Sequence, residues 1–429
     1  MSSPPNKTPI LKITEIETIW LDELPTKEWR RQHPDKPQVN SRNLWVRVHT
    51  DEGLIGLGET YYQPRAVSAI IQDCFSHVLL GRSALDIESH WNNMFSIVNF
   101  FGYAGAEIRA ISAIDIALWD LLGQYLGQPI YNVLGGRMRH RIPVYNTCVN
   151  GGKHMDYTAF MDPTKIGDLA RSLLDQGIRR MKIWPFDQYG VSVAIPEKYG
   201  DNIETLGIPG AVGPPTPLID HRDLKAGVAY VEAIRKAVGD EMAIAVEGHS
   251  RWGLTAAIQI AQALEKFDNI MWIEDFTQPD NVESLARLKA SSRVPLAASE
   301  RLYSRYQFRQ LMENNAADIV MPDIGWCGGI TEFRKIASAA DTYYLPVTSH
   351  DCTGPVVLWA SGHVMLHAQN AMLMEAVRGF WDGGWYNDVM TEPVPIEDGH
   401  FTLGTTPGLG ATLREDLLSN PQVRRESSQ

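Results

Sequence analysis

The rhythm of apolar positions changes within the first third of the chain. "LKITEIETIWL" and "NLWVRVHT" alternate between apolar and polar residues, and "DEGLIGLGE" is typical of a hairpin turn that leads into a third strand. From about residue 64 to 135 the spacing is helical, and "GAEIRAISAIDIALWDLLGQYLG" predicts one long helix that ends near Gly127 and Pro129. We therefore predict an α+β domain over residues 1–140, completed by a segment at about 390–429.

Beyond residue 140, short apolar runs alternate with helix-like segments. Such alternation is typical of βαβ units with a parallel sheet, and eight units favour a barrel of the (β/α)₈ type, here over residues 141–389. A doubly wound sheet is the alternative, but no GxGxxG follows a strand, and "GLIGLG" at 53–58 lies in a hairpin context. The eight runs are "RIPVYN", "RRMKIWPF", "MAIAVEGH", "IMWIEDF", "VPLAASE", "ADIVMPD", "LPVTSH" and "AMLMEA".

Two polar stretches with prolines interrupt this pattern, at about 22–39 and at about 187–222. Loops as long as the second are usually functional or disordered, and a loop that follows a barrel strand lies on the active-site face. We expect both stretches to contribute to substrate specificity. The first ten residues and the final "NPQVRRESSQ" are predicted to be loose tails.

Ionisable residues stand at the ends of six successive apolar runs, at intervals of 23 to 27 residues. Each interval is about one strand–helix unit, and the carboxyl ends of barrel strands surround one mouth, where catalytic residues lie. A solvated strand end explains any one of these residues alone, but it does not explain their common phase. We expect the following side chains to converge: Glu247 with His249, Glu274, Glu300, Asp323, His350 and Glu375.

Three carboxylates on consecutive predicted strands indicate a metal site. Without a cation, packed carboxylates repel one another and take up protons. A set of oxygen ligands favours a hard cation such as Mg²⁺, whereas Zn²⁺ more often uses histidine or cysteine. We predict that Glu247, Glu274 and Glu300 bind Mg²⁺.

The remaining ionisable residues suggest proton transfer. Asp323 precedes His350 by one strand–helix unit, and a carboxylate that holds an imidazole nitrogen fixes its tautomer and raises its basicity. His350 is therefore the candidate general base. Lys182 and a protonated Glu375 are predicted to polarise the substrate or neutralise its charge, and His249, on a different strand, is placed to act as a general acid.

Composition narrows the possible partners and the compartment. The formal net charge is −12 and the pI is about 5.5, which argues against nucleic acid or an anionic membrane as a partner. The four cysteines are scattered without a CxxC pair, no apolar run approaches the length of a membrane span, and no signal peptide is visible. We expect a cytoplasmic protein with reduced thiols.

With these motifs in view, the sequence resembles the mandelate racemase subgroup of the enolase superfamily over nearly its whole length. The resemblance rests on "TDEGLIGLGE" and "SAIDIALWDLLGQYLGQPIYNVLGG" in the first domain, and on "AVEGH", "IED", "ASERLYSR", "PDIGWCGGITE", "SHDCTGP" and "PGLG" afterwards. It implies an α/β fold: a modified TIM barrel, (β/α)7β, with an α+β N-terminal capping domain. It also implies a Mg²⁺ enzyme that abstracts a proton next to a carboxylate. Relatives are commonly homo-oligomers, so we expect one here.

Within that subgroup, a histidine two residues after the first metal ligand resembles galactonate-type acid-sugar dehydratases, where it acts as general acid. The implied reaction is loss of water from an aldonate or aldarate to give a 2-keto-3-deoxy acid. Racemase-like relatives carry two lysines on the second strand, but in "KIW" only Lys182 remains and Trp184 replaces the other. A racemase or epimerase of a 2-hydroxy acid, a mannonate-type dehydratase with an insertion after the second strand, and a non-catalytic metal-binding scaffold remain alternatives.

The sequence gives fewer signals for the residues that contact the substrate than for the metal-binding and acid–base residues. We predict a small-molecule sugar acid as the substrate, no nucleic acid or membrane as a partner, and a homo-oligomer of the chain. The residues expected to bind it are Lys182, Trp184, Arg301, Trp29 and Arg30.

Overall fold

The computed structural model describes residues 10–21, 42–190, 214–420 and 422–429. Among these residues, no helix combines the length and the apolar character that a bilayer crossing requires. The chain forms two main sheets, one of four strands near the N-terminus and one of ten strands that contains the barrel.

The first sheet is antiparallel and has the order β16-β1-β2-β3. The alternating segments of the sequence form β1 (Ile13–Leu21), β2 (Asn43–Thr50) and β3 (Ile55–Tyr61), with a hairpin between β2 and β3 as predicted. The fourth strand is β16 (Val423–Ser428), which pairs with β1. The prediction that the C-terminal residues form a loose tail is therefore wrong, because their backbone bonds to the edge of β1.

Helices cover one side of this sheet. The sheet approaches the helix of residues 106–126 so closely that a Cβ on Gly58 would lie 1.8 Å from the Ala113 carbonyl oxygen. Gly56 and Gly58 of "GLIGLG" thus serve packing, because only a residue without a side chain allows this approach. The helices are α1 (Pro64–Ile70), α2 (Ser76–Leu79), α3 (Ile87–Asn99), α4 (Ala106–Leu126) and α5 (Ile130–Val133), with a π-helical turn at Ile71–Phe75.

Eight parallel strands form a closed barrel, because the last of them, residues 371–375, pairs with the first, residues 141–147. All eight apolar runs of the sequence supply a barrel strand, so the predicted fold class is confirmed. The strands are β4 (Arg141–Thr147), β7 (Arg180–Ile183), β8 (Ala243–Glu247), β9 (Ile270–Glu274), β10 (Leu296–Ala298), β11 (Ile319–Val320), β12 (Val347–Ser349) and β13 (Ala371–Glu375).

Among the described residues, seven helices alternate with these strands on the outside of the barrel. A small hairpin, β5 (Asn150–Gly151) and β6 (His154–Met155), and the short helix α6 (Asp156–Phe160) precede the first of them. The seven are α7 (Ile166–Leu174), α8 (His221–Val238), α9 (Leu254–Leu264), α10 (Val282–Ala290), α11 (Ser304–Glu313), α12 (Gly329–Thr342) and α13 (Pro355–His367).

After the barrel the chain returns towards the first sheet. It forms α14 (Arg378–Trp381), α15 (Tyr386–Val389), the hairpin strands β14 (Ile396–Glu397) and β15 (His400–Thr402), and α16 (Glu415–Leu418) before β16. The proposed boundaries at 140 and 389 stay a prediction.

The two units make direct polar contacts on the side where the barrel strands end. Glu59 of β3 accepts hydrogen bonds from Asn43 Nδ2 (2.8 Å) and from the Val357 amide at the start of α13 (3.1 Å). Thr60 donates to the Gly325 carbonyl, 2.7 Å away in the loop that follows β11. The first unit therefore packs against loops that follow Asp323 and His350.

Candidate active site

The predicted residues lie at matching heights around the barrel mouth. Glu247 and Glu274 are the last residues of β8 and β9 and are paired in register, and Asp323 and His350 form an isolated parallel bridge. Glu375 ends β13 and Glu300 follows β10. Because a parallel barrel brings the carboxyl ends of all its strands to one face, these side chains share one cavity.

Three carboxylates form the centre of the site. Glu247, Glu274 and Glu300 each offer an oxygen, and these oxygens all lie within 4.8 Å of one another. Glu247 Oε2 is buried and accepts no hydrogen bond from the described residues. Burial and the neighbouring Glu247 raise the pKa of Glu274 well above its usual value. A divalent cation bound to these oxygens would relieve the repulsion, so this donor set fits a hard metal ion.

Lys182 links the carboxylates. Its Nζ lies 2.6 Å from Glu274 Oε1, 3.1 Å from Glu375 Oε1 and 3.3 Å from Glu247 Oε2. Burial lowers its pKa, but the Glu274 and Glu375 carboxylates outweigh burial and hold the pKa well above its usual value. Lys182 is therefore a fixed positive charge inside the barrel.

The protonation state of Glu375 differs from the one predicted from the sequence. Its oxygens accept hydrogen bonds from Tyr145 (3.1 Å), the Asp351 amide (2.9 Å) and Thr147, besides the ion pair with Lys182. Burial raises the pKa of Glu375, but Lys182 and His350 outweigh it, so the net shift is downwards. The assumption that Glu375 is protonated does not fit these contacts, because every one of them stabilises the carboxylate.

His350 is held from both sides. Its Nδ1 donates to Asp323 Oδ2 at 2.7 Å, and its Nε2 lies 2.8 Å from Glu300 Oε2. Burial lowers the pKa of His350, but the Glu300 and Glu375 carboxylates raise it well above its usual value. The bond to Asp323 directs Nε2 towards Glu300 of the three-carboxylate cluster, which is the orientation that a base needs beside a bound carboxylate.

His249 reaches the site by a different route from the one predicted. The two-residue periodicity of a strand was expected to bring it beside Glu247, but β8 ends at Glu247 and His249 lies in a turn with φ +43°. Glu247 Oε1 accepts the His249 amide at 2.8 Å, which fixes this turn. A left-handed turn, and not strand alternation, therefore places the imidazole.

Asp187 holds the His249 ring and was missed by the sequence analysis. Its Oδ2 accepts a hydrogen bond from His249 Nδ1 at 2.6 Å, and its backbone carbonyl accepts one from Arg251 Nη1, also at 2.6 Å. Burial lowers the pKa of His249, but Glu247 and Asp187 outweigh burial and raise it to about 9. His249 is therefore a protonated imidazole near neutral pH. The only sequence signal was that Asp187 begins the long connection.

Trp184 packs against the same histidine. Its ring lies edge-on to His249 with centroids 5.6 Å apart, and it stacks on Tyr157 at 5.8 Å. It is buried, with 8% of its surface exposed. The residue at this position therefore supports the His249 ring, and its predicted contact with substrate stays a prediction.

The other predicted substrate residues are less well defined. Arg301 Nη1 lies 3.3 Å from Gln278 Oε1 in an exposed contact. Trp29 and Arg30 lie outside the described residues, as does the greater part of the connection at 187–222. At the described end of that connection, the Thr216 amide donates a hydrogen bond to the Arg251 carbonyl at 2.7 Å, and Arg251 lies two residues after His249.

Comparison with known families agrees with this arrangement. Residues 28–135 match the N-terminal domain of the Mandelate racemase / muconate lactonizing enzyme family, and residues 165–417 match the Enolase C-terminal domain-like family. The chain belongs to the enolase superfamily, in the mandelate racemase/muconate lactonizing enzyme family. Enzymes of this superfamily use a divalent metal, which agrees with the carboxylate cluster.

Named relatives extend over most of the chain. A D-xylonate dehydratase of Haloferax volcanii is 31% identical over 90% of this chain and 86% of its own length. A D-galactonate dehydratase of Variovorax paradoxus is also 31% identical, over 89% of this chain and 91% of its own. The predicted enzyme class, a dehydratase or hydro-lyase of this superfamily, agrees with these names and is confirmed at that level.

Solved structures show the same fold. An enolase of the mandelate racemase subgroup from Agrobacterium tumefaciens is 39% identical, with a TM-score of 0.79 and coverage of 98% of this chain and 99% of its own. A putative dehydratase from Salmonella enterica is 29% identical, with a TM-score of 0.83 and coverage of 98% and 100%. The predicted family and barrel architecture are thus confirmed.

Proposed function

We propose that the protein is a Mg²⁺-dependent sugar-acid dehydratase that converts an aldonate or aldarate to a 2-keto-3-deoxy acid. One observation carries the proposal: each of two histidines beside a three-carboxylate cluster is held at Nδ1 by its own aspartate. His350 is 2.7 Å from Asp323 and His249 is 2.6 Å from Asp187. Elimination of water needs one group to remove a proton and another to protonate the leaving hydroxyl. The relatives named D-xylonate and D-galactonate dehydratase support the substrate class.

The substrate carboxylate binds beside the metal ligands Glu247, Glu274 and Glu300. Removal of the α-proton of a carboxylate is difficult because it adds a second negative charge. A bound divalent cation supplies positive charge for this developing enediolate. Lys182, which is buried and ion-paired with three carboxylates, adds a second positive charge on the same side.

His350 Nε2 removes the α-proton; the ring would be neutral for this step once a cation held by Glu300 offsets the carboxylate charge that raises its pKa. The Asp323 carboxylate fixes the Nδ1–H tautomer and stabilises the imidazolium that forms. The electron pair of the broken C–H bond moves into the enediolate. Glu375 acts as an ionised group that holds Lys182.

His249 donates its proton to the departing β-hydroxyl, and the enediolate collapses with loss of water. Its raised pKa of about 9 keeps the imidazole protonated before the step, as an acid must be. The enol product then ketonises in solution or in the site. Asp187 keeps His249 Nδ1 occupied, so Nε2 is the nitrogen left for the substrate.

The racemase alternative needs a second base opposite His350. Trp184 occupies the second-strand position where such a base would stand, and its buried ring packs on His249. No acid–base group is available from an indole, so the site favours elimination over inversion.

A substrate screen tests the proposal. Purified protein with Mg²⁺ is incubated with a library of aldonates and aldarates, and 2-keto acid is measured. Keto acid from at least one member is expected. Inversion of the α-carbon without keto acid for every active member would replace the dehydratase by a racemase.

A further inference from the structure

Cys352 lies beside the proposed base and has no part in the mechanism above. Its Sγ is 3.5 Å from His350 Nε2, and a Glu375 oxygen completes a group of donor atoms that all lie within 4.8 Å of one another. His350 and Glu375 are buried, and Cys352 is half-buried in the loop between β12 and α13. These donors are distinct from the three carboxylates assigned to Mg²⁺.

The spacing of the nitrogen and the sulfur suits a tetrahedral soft metal. Bonds of about 2.3 Å to sulfur and about 2.0–2.1 Å to nitrogen, at a tetrahedral angle, separate the two ligand atoms by about 3.5 Å. Cys352 Sγ and His350 Nε2 already have this separation. Glu375 Oε2 is 3.8 Å from the same nitrogen, so a small rotation brings it to ligand distance.

The orientation of His350 is a second, independent indication. Its Nδ1 donates to Asp323, so Nε2 is the nitrogen that could bind a metal ion once it has lost its proton, and this nitrogen lies 3.5 Å from the thiol sulfur. Histidines that bind zinc are characteristically held in this way by a carboxylate on the other nitrogen. Glu300, whose Oε2 lies 2.8 Å from Nε2, adds negative charge on the same side.

We propose that His350, Cys352 and Glu375 form a second, inhibitory site for a thiophilic divalent cation such as Zn²⁺ or Cd²⁺. The metal forms bonds to the imidazole nitrogen, the thiolate sulfur and a carboxylate oxygen, and the proton of the thiol passes to solvent. No electron is transferred. Binding occupies Nε2, so it removes the base of the proposed reaction while Mg²⁺ stays on its own ligands.

Cadmium titration of the full-length protein in excess Mg²⁺ tests the site without any substrate. Cadmium bound to a thiolate absorbs in the ultraviolet, and bonds to carboxylates alone do not give this band. We expect the band to saturate at one equivalent of Cd²⁺ in the wild type. In Cys352→Ser the band should disappear, and in His350→Asn the affinity should fall at least tenfold because one ligand is lost.

Cys74→Ser is the matched control, since Cys74 is also half-buried but lies in the π-helical turn of the first unit. It should keep the full band. An undiminished band in Cys352→Ser, or no band at one equivalent in the wild type, would show that the 3.5 Å contact is only a hydrogen bond and would overturn the proposal. Because the titration needs no turnover, it is informative even if the protein proves not to be a dehydratase.

Discussion

Asp187 Oδ2 and His249 Nδ1 lie 2.6 Å apart, in a hydrogen bond between the turn after β7 and the turn after β8. The Arg251 guanidinium bonds to the Asp187 carbonyl and ties the same two turns together. The pair repeats the arrangement of Asp323 and His350 on the other histidine of the site. The chain therefore fixes the orientation of both imidazoles through separate carboxylates.

Asp187→Asn tests whether that carboxylate positions the proposed acid. An amide can present either its oxygen or its NH₂ to Nδ1 and carries no negative charge, so it neither orients the His249 ring nor helps to keep it protonated. We expect keto acid formation to fall by about 10²-fold, at the low end of what a general acid contributes, with little change in KM. Exchange of the substrate α-proton in D₂O should continue, because it depends on His350.

Asp168→Asn is the control, since Asp168 forms only an exposed ion pair with Arg171 on α7. It should leave both rates unchanged. If Asp187→Asn lowers exchange and keto acid formation by the same factor, Asp187 has a general structural role and no specific role with the acid.

Metal removal should abolish the reaction. EDTA is expected to remove activity and Mg²⁺ to restore it, because the three clustered carboxylates, two of them buried, are the proposed ligands of the cation. Glu274→Gln should weaken Mg²⁺ binding at least tenfold in calorimetry, whereas Glu283→Gln, on the exposed side of α10, should not. Full activity of the metal-free protein would contradict the assignment of Glu247, Glu274 and Glu300.

Acid should destabilise the protein partly through His363. This buried imidazole accepts the Tyr131 amide at Nδ1 (3.2 Å) and donates to the Leu409 carbonyl from Nε2 (3.0 Å). Burial lowers its pKa from 6.5 to about 4, so the unfolded chain binds the proton first as pH falls. Its contribution is complete above pH 6.5 and is lost between about 6.5 and 4, which corresponds to about 3 kcal/mol.

Urea unfolding at several pH values measures this effect. The wild type should lose stability over that window more steeply than His363→Gln, since glutamine does not titrate. Equal slopes for the two proteins would show that protonation of His363 does not contribute.

Most of the fold and of the carboxylate cluster could be predicted from the sequence, because both follow from simple periodicities. Each apolar run forms one strand, and several runs end in an ionisable residue, so the positions of these residues at the barrel mouth follow without knowledge of any contact. The residues are Glu274, Glu300, Asp323, His350 and Glu375. In a parallel barrel the carboxyl ends of successive strands are neighbours, so residues at this spacing in the sequence lie close together in space.

Features that depend on contacts between residues far apart in the chain could not be predicted from these periodicities. Asp187 is 62 positions from His249, and the turn that brings His249 towards it has a positive φ that no two-residue pattern predicts. The C-terminal residues look polar and loose, but β1 has an edge that needs a partner, and Val423–Ser428 supply it. The ionised state of Glu375 depends on Lys182, which lies on a strand at the other end of the barrel sequence.

The central claim is that His350 removes a proton and His249 delivers one. The most direct test is proton NMR in D₂O on a substrate from the screen, with wild type, His249→Asn and His350→Asn. We predict that His249→Asn still exchanges the substrate α-proton but forms little keto acid, and that His350→Asn does neither. Keto acid formation that is undiminished in His249→Asn, or inversion of the α-carbon without keto acid in the wild type, would contradict it.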